Sequence, residues 1–225
     1  MFHVKHFFEE KHKKPYPLWD CGLPDELRKG CESIGISLTP GQFQLFKLYH
    51  EHLLSWNHRV NLISKQDEKR IVSRHFLDAL AVLPVVRSLP GKQLLDLGTG
   101  AGFPGLPLRI AEPEIALTLL ESKRKKTLFL RSLLALLDLS DVAVLRARAE
   151  ALAHSPDHRG RYDIVTARAV APPSLAWKLA KPFLRPNGSF ICYADPAALD
   201  LSSLSEKIRL LVPSCSSRIL VLCSS

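Results

Sequence analysis

Three things are scarce in this chain, and each scarcity excludes a class of function. No uninterrupted apolar run approaches the roughly 20 residues needed to cross a bilayer, because Asp138 breaks the leucine-rich stretch 133–145. A membrane span is therefore not expected. The first residues, MFHVKHFFEEKHKKPYPLW, are charged throughout and lack the apolar segment of a secretion signal. Cysteines number five (Cys21, Cys31, Cys192, Cys215, Cys223), and none shows the two-residue spacing that clips zinc or runs redox chemistry. Reduced thiols in a cytoplasm are the expectation. His3, His6 and His12 have no Cys or acidic partners at ligand spacing, so no metal is expected and residues 1–22 read as a basic tail. Acidic residues are the third shortage: 22 Asp+Glu face 31 Lys+Arg, giving a net charge of +9. That excess favours a polyanionic partner, either nucleic acid or an anionic membrane surface.

The 225 residues, 46% of them hydrophobic, suffice for one full core with an extension, and a monomer is expected. No internal repeat or low-complexity tract is present. Residues 23–88 read as helical, with Ile34, Leu38, Phe43, Phe46 and Leu53 at roughly helical spacing and Thr39-Pro40 suited to a cap and first turn. Near Pro90-Gly91 the texture changes to short apolar runs between helical stretches, the pattern of buried parallel strands. This divides the chain into a tail (1–22), a helical cap (23–90) and an α/β domain (91–225). Strands are expected at 93–97, 115–121, 141–145, 162–167, 188–194, 207–212 and 218–223. Only Pro213 to Ser217 separates the last two, too short for a parallel crossover, so they should form an antiparallel hairpin.

The most informative segment is Asp96-Leu97-Gly98-Thr99-Gly100-Ala101-Gly102-Phe103-Pro104-Gly105, which follows a strand and opens a helix. Glycines there allow unusual backbone angles and close approach of a ligand. Gly100, Gly102 and Gly105 also satisfy G-x-G-x-x-G, which admits a dinucleotide. Asp96, two residues before the first glycine, suits a cationic amino-acid ligand better than a pyrophosphate. Glu121, at the end of the next strand, can accept both hydroxyls of an adenosine ribose, a feature shared by both ligand classes. Ala149 and Glu150, after the third strand, fall on the same rim, where they are suited to an adenine edge. The alternative is that these acids merely cap helices.

Taken together, DLGTGAGFPGLPLRI, LTLLESKRKKTLFLR and YDIVTARAVAP, with SWNHRVNLIS and SRHFLDAL upstream, resemble the glucose-inhibited division protein B family of ribosomal RNA guanine-N7 methyltransferases. The likeness covers roughly residues 30–222. It implies a Rossmann-like class I methyltransferase fold: a seven-stranded, mostly parallel sheet ending in an antiparallel hairpin, with an N-terminal helical extension. It further implies S-adenosyl-L-methionine as cofactor, ribosomal RNA or the small ribosomal subunit as partner, and cofactor contacts at Gly98, Phe103, Ala149, Glu150 and Arg168. The expected cofactor set also includes Asp96, Gly100, Gly102 and Glu121.

Guanine N7 carries an unshared lone pair at neutral pH, so its methylation needs positioning rather than a general base. Arg168, just after the fourth strand, and His75, beside Asp78 on the RHFLD segment, are the candidate catalytic residues. RNA attraction falls to Lys123, Arg124, Lys125, Lys126 and Arg148, with Arg131, Arg146, Arg159 and Arg161 nearby. Two departures from the family pattern stand out: Ala194-Asp195 replaces a Lys-Gly pair after the fifth strand, and Cys223-Ser224 stands where a lysine is usual. Both remove positive charge from the rim. Two other readings stay open, an NAD-dependent oxidoreductase on the same sheet and an RNA-binding protein with an idle methyltransferase fold.

Overall fold

The computed structural model describes residues 23–194, 208–211 and 219–224, with side chains over 25–194. The tail 1–22, Asp195 and the side chains of Cys223 and Ser224 lie outside the described residues.

Residues 23–88 are helical in pieces: α1 (Leu23–Ser33), α2 (Pro40–Val60), a 3-10 turn (Glu68–Arg70), a π-helical segment (Val72–Leu77), α3 (Asp78–Leu80) and α4 (Leu83–Ser88). Thr39 caps α2 as its sequence suggests. Its hydroxyl accepts from the Gln42 N–H, and the Gln42 side chain accepts from the Thr39 N–H at 2.7 Å, a reciprocal capping box. The helix stops at Asn61, which takes the left-handed conformation at φ 50°.

The remainder alternates strand and helix: β1 (Gln93–Leu97), α5 (Gly105–Ala111), β2 (Ala116–Leu120), α6 (Arg124–Leu136), β3 (Ala143–Leu145), α7 (Ala149–Leu152), β4 (Tyr162–Arg168), α8 (Pro173–Ala180), β5 (Leu184–Ala194), β6 (Ile208–Leu211) and β7 (Ile219–Ser224). One sheet runs in the order β3-β2-β1-β4-β5-β7-β6. The first five strands are parallel, and β7 is antiparallel to both β5 and β6. Strand order reverses between β1 and β4, which places a ligand crevice at the carboxyl ends of those strands. Among the described residues no helix is long and apolar enough to cross a membrane.

Side chains alternate across β1, sending Leu94 to one face and Leu95 and Leu97 to the other. Leu94 joins a core cluster that continues without a break into the cap through Leu27, Phe46, Tyr49, Leu53 and Phe76. Each such side chain contributes about 1.5–3 kcal/mol on burial, so lifting the cap off the sheet would cost more than a typical hinge motion can supply. The cap is a fixed wall. Gln42 reinforces it by donating to the Ile110 and Ala111 carbonyls at the end of α5, at 2.9 and 3.0 Å.

Asp96 is fully buried on the cap-side face of β1. Its Oδ2 accepts from the Thr99 hydroxyl and from the Gly105 N–H at 2.9 Å, and its Oδ1 accepts from the Thr166 hydroxyl at 2.8 Å. One carboxylate thereby fastens the glycine turn, the start of α5 and β4 to β1. Burial nevertheless pushes its pKa up to about 6, against the opposing pull of those three bonds and of Arg168.

The sign of that shift sets a test. Between about pH 4 and pH 6 the unfolded chain has lost the Asp96 proton while the folded chain retains it, so stability falls as pH rises through this window and levels off above it. Asp96→Asn removes the titration and keeps an acceptor for Thr99 and Gly105. Denaturant unfolding of both proteins across pH 4–7 is expected to show wild type losing about 3 kcal/mol relative to the variant. A pH-independent difference would mean that Asp96 ionises normally in the fold.

Candidate active site

A cavity of about 330 Å³ opens at the carboxyl ends of β1, β2 and β3, lined by Leu97, Gly98, Leu120, Glu121, Ser122, Ala147, Arg148, Ala149 and Glu150 from that side. The wall opposite is apolar: Val170 and Ala171 close it from the loop after β4, and Leu175 and Leu179 from α8. Leu175, 48% exposed, lines the cavity where it meets solvent. The size and the mixture of apolar walls with a few polar groups are those of a small-molecule site.

Gly98 is needed at this point for two reasons. Its φ is +67°, and a Cβ there would lie 2.6 Å from Val170 Cγ2. Glu121 is buried and oriented by the backbone, its Oε2 accepting from the Gly100 N–H at 3.1 Å and its Oε1 from the Lys123 N–H at 2.8 Å. A carboxylate offers about four acceptor positions, so two remain on a group that also lines the cavity. Arg148 precedes α7 as its exposed cap residue, and Ala149 and Glu150 begin that helix.

Several residues singled out in the sequence lie elsewhere. Asp96 does not present its carboxylate to a ligand: it is buried with both oxygens engaged by protein donors, and its contribution is to shape the turn. Gly102 (φ +102°) faces the cap, since a Cβ on it would lie 2.6 Å from the Tyr49 hydroxyl. Gly100 meets Lys126 and donates to Glu121 instead of lining the cavity. Phe103 is only 4% exposed, its ring stacked on those of Tyr49 and His75 at 5.4 and 4.8 Å. The ring is thereby engaged by protein groups and supports them.

Arg168 and His75 are brought together, though beside the cavity and not within its lining. Arg168 Nη1 donates to Asp78 Oδ2 and to the Arg74 carbonyl, each at 3.2 Å, Nη2 donates to His75 Nδ1, and the guanidinium carbon lies 5.0 Å from the Phe103 ring centre. Arginine can only donate, so Nδ1 is an acceptor and a neutral His75 carries its proton on Nε2. Since Leu97 pairs with Ala167, Arg168 sits one register step along from Ala167, as Gly98 does from Leu97. It thus flanks the cavity mouth on the cap side.

The cations form a rim around this arrangement. Lys123, Arg124, Lys125 and Arg148 are exposed and Lys126 is half-buried, with Lys123, Arg124, Lys125 and Lys126 occupying the cap and first turn of α6. Positive charge at a helix N-terminus works against the helix dipole, so these residues are not there to stabilise α6. The apolar wall of α8 and the Tyr49 contact were missed by sequence reasoning. Only the APPSLAWKLA run after the quoted YDIVTARAVAP motif hinted at the former, and no local signal marks the latter.

The family profile described as rRNA small subunit methyltransferase G (GidB) matches residues 42–211. Ribosomal RNA small subunit methyltransferase G of Roseiflexus castenholzii is 47% identical over 167 residues, 74% of this chain and 71% of that protein. The protein of the same name from Dictyoglomus thermophilum is 39% identical over 182 residues, 81% of this chain and 76% of its own length. Among solved structures, a putative caffeoyl-CoA O-methyltransferase from Staphylococcus aureus superposes with a TM-score of 0.54 at 14% identity, covering 78% of this chain and 99% of that one. At that identity the likeness establishes the fold alone, an α/β methyltransferase fold with a parallel sheet flanked by helices. From 42 to 211 the matched region takes in the cap from α2 onward, the glycine turn, the cavity and Arg168, and on this footing the chain belongs to the rRNA small subunit methyltransferase G family.

Proposed function

We propose that the chain is an S-adenosylmethionine-dependent methyltransferase acting on N7 of a guanine in small-subunit (16S) ribosomal RNA, and that the cavity beside Gly98 and Glu121 holds the cofactor. The observation that carries this reading is the combination of family membership with an oriented, buried carboxylate at the end of β2 facing an apolar-walled cavity. The residues present fit the cofactor. Glu121 retains two acceptor positions for ribose hydroxyls, Ala149 and Glu150 flank the end suited to an adenine, and Val170, Leu175 and Leu179 provide the apolar cover. S-adenosylmethionine supplies an electrophilic methyl group when bound.

What the chain itself contributes is positioning and electrostatics. Guanine N7 needs no deprotonation, so no side chain has to act as a general base, and alignment of the reactants can supply about 7–11 kcal/mol of the barrier reduction. The arrangement of His75 agrees with this: its Nδ1 is committed to Arg168 and is not offered to a substrate proton. Arg168 is the residue placed to meet the acceptor base or a neighbouring phosphate, both suited to its planar fork. Lys123, Arg124, Lys125, Lys126 and Arg148 draw the polyanion to the rim.

Calorimetric titration is expected to show binding of S-adenosylmethionine and none of NADH; binding of NADH alone would overturn the assignment. Glu121→Gln is expected to weaken cofactor binding by about 10- to 100-fold, the loss of a charged hydrogen-bond pair. Radiolabelled methyl transfer to small ribosomal subunits from a strain lacking the enzyme, with Gly98→Asp as control, should label a single guanine whose N7 substitution is then mapped. Label no higher than the control would leave an idle fold. Replacing Lys123, Arg124 and Lys125 by alanine should weaken RNA binding and make it less salt-dependent, each lost phosphate contact reducing the log–log slope by about 0.7. An unchanged slope would show that this run does not touch RNA.

A further inference from the structure

Arg168 is held by more groups than a strand-end arginine requires, and all three of its hydrogen-bond acceptors come from residues 74–78. That segment is where the helix departs from α geometry. Residues Val72–Leu77 are π-helical, and the Asp78 N–H bonds to the His75 carbonyl, not to the Arg74 carbonyl that an α-helix would use. The Arg74 carbonyl is thereby available to Arg168. A π-helical insertion is an uncommon conformation that frequently marks a functional site, and here it brings a carbonyl, an imidazole and a carboxylate onto one guanidinium.

Of the three acceptors Asp78 alone belongs to a residue type that carries a negative charge. Its side chain is 7% exposed and that of Arg168 is 12% exposed, so the pair is largely removed from water. A buried ion pair is a poor way to stabilise a fold, since apolar residues of similar volume serve as well. Nor is it needed to dock the cap. Tyr49 donates to the Ala101 carbonyl at 2.6 Å, Tyr193 donates to the Ala79 carbonyl at 2.9 Å, and Gln42 holds the end of α5. What the pair does that these contacts cannot is fix the plane of the guanidinium. Nη1 gives both of its hydrogens and Nη2 one to the segment 74–78, which leaves two of the five N–H groups for an acceptor outside it.

We propose that Asp78 is a positioning residue for methyl transfer: it does not touch the acceptor base, but it clamps Arg168 over the Phe103 ring so that the two remaining donors meet an oxygen of the base or its phosphate in a fixed orientation. This rests on the methyltransferase reading above. His75 and the Arg74 carbonyl complete the clamp without adding charge, and Phe103 supplies the floor at 5.0 Å.

The test compares full-length wild type with Asp78→Asn, Asp78→Glu, Arg168→Ala and the Asp78→Asn/Arg168→Ala double variant. Methyl transfer to small ribosomal subunits, cofactor affinity and thermal midpoint are measured for each. Asp78→Asn is expected to lower kcat by about 10- to 100-fold, the scale of a misplacement of roughly 1 Å, with cofactor affinity and KM for the subunit within about threefold of wild type. In the Arg168→Ala background the same substitution should have no further effect, because the clamp then has nothing to hold. Asp78→Glu, which keeps the charge, should recover part of the rate, and it carries the test if Asp78→Asn fails to fold. A kcat for Asp78→Asn within about twofold of wild type, or independent additive losses from the two sites, overturns the positioning role alone. Absence of transfer by wild type overturns the methyltransferase reading, and the role of Asp78 with it.

Discussion

The fold around the cavity depends on one buried carboxylate. Asp96 receives donors from the glycine turn, from the first residue of α5 and from β4, adding a shared side-chain acceptor to the backbone bonds of the turn and the sheet. Apolar contact is non-directional. It can press a turn against a sheet, but it cannot decide which N–H groups point into the crevice and which into the protein. Hydrogen bonds to a single fixed acceptor do decide this, and the result is that the Gly100 N–H is delivered to Glu121 while the Gly105 N–H is consumed internally. The cost is visible in the upward shift of the Asp96 pKa, since three bonds do not fully replace the water that a carboxylate loses on burial.

A second constraint runs through Phe103. Its ring stacks with those of Tyr49 and His75, and the guanidinium of Arg168 lies over it. Tyr49 in turn bonds to Ala101 of the glycine turn. The turn that shapes the cavity and the arginine at the cavity mouth are therefore two ends of one packed unit, with the cap as its third side. Close packing transmits displacement because there is no free volume to absorb it. A shift of α2 would move both the turn and Arg168, which accounts for a cap whose core is continuous with that of the sheet and not a separable lid.

Much of this was legible in the sequence, and the illegible parts share a physical cause. Thr39-Pro40 announces the start of α2, and the strand at 93–97 is where its apolar run places it, because these signals are local. The strand expected at 188–194 begins four residues earlier, at Leu184, so that Pro186-Asn187-Gly188 lies inside β5, where pairing jumps from Tyr162–Leu184 to Ile164–Ser189 and Asn187 takes φ 64°. Turn residues absorb an irregularity within a strand as readily as they end one. Asp96 is expected to meet the ligand because its carboxylate suits a cationic amino acid, and Phe103 because the family resemblance implies a contact there. Their partners Thr166, Tyr49 and His75 are remote in sequence, and only the assembled sheet and cap bring those partners close enough to claim them. Glu121 differs: its partners Gly100 and Lys123 both belong to the motif segments read in the sequence, and its carboxylate lines the cavity.

The distribution of charge follows from burial. Glu121 is almost fully enclosed at the cavity, whereas Lys123, Arg124, Lys125 and Arg148 are exposed around it. Burial strengthens a charge's local effect, because the effective dielectric constant falls toward that of the protein interior. Exposure weakens it and limits it to about a Debye length, 8–10 Å at moderate salt. An enclosed carboxylate therefore acts on a ligand it touches and does little to repel a polyanion arriving at the surface. The exposed cations attract that polyanion while interfering little with the acid beside the cavity. A site that seats a cation-bearing cofactor and an anionic polymer within one small region, as proposed for this one, needs this separation, with the acid inside and the bases outside. Reversing the two would leave the cations buried at a desolvation cost and the acid facing the RNA.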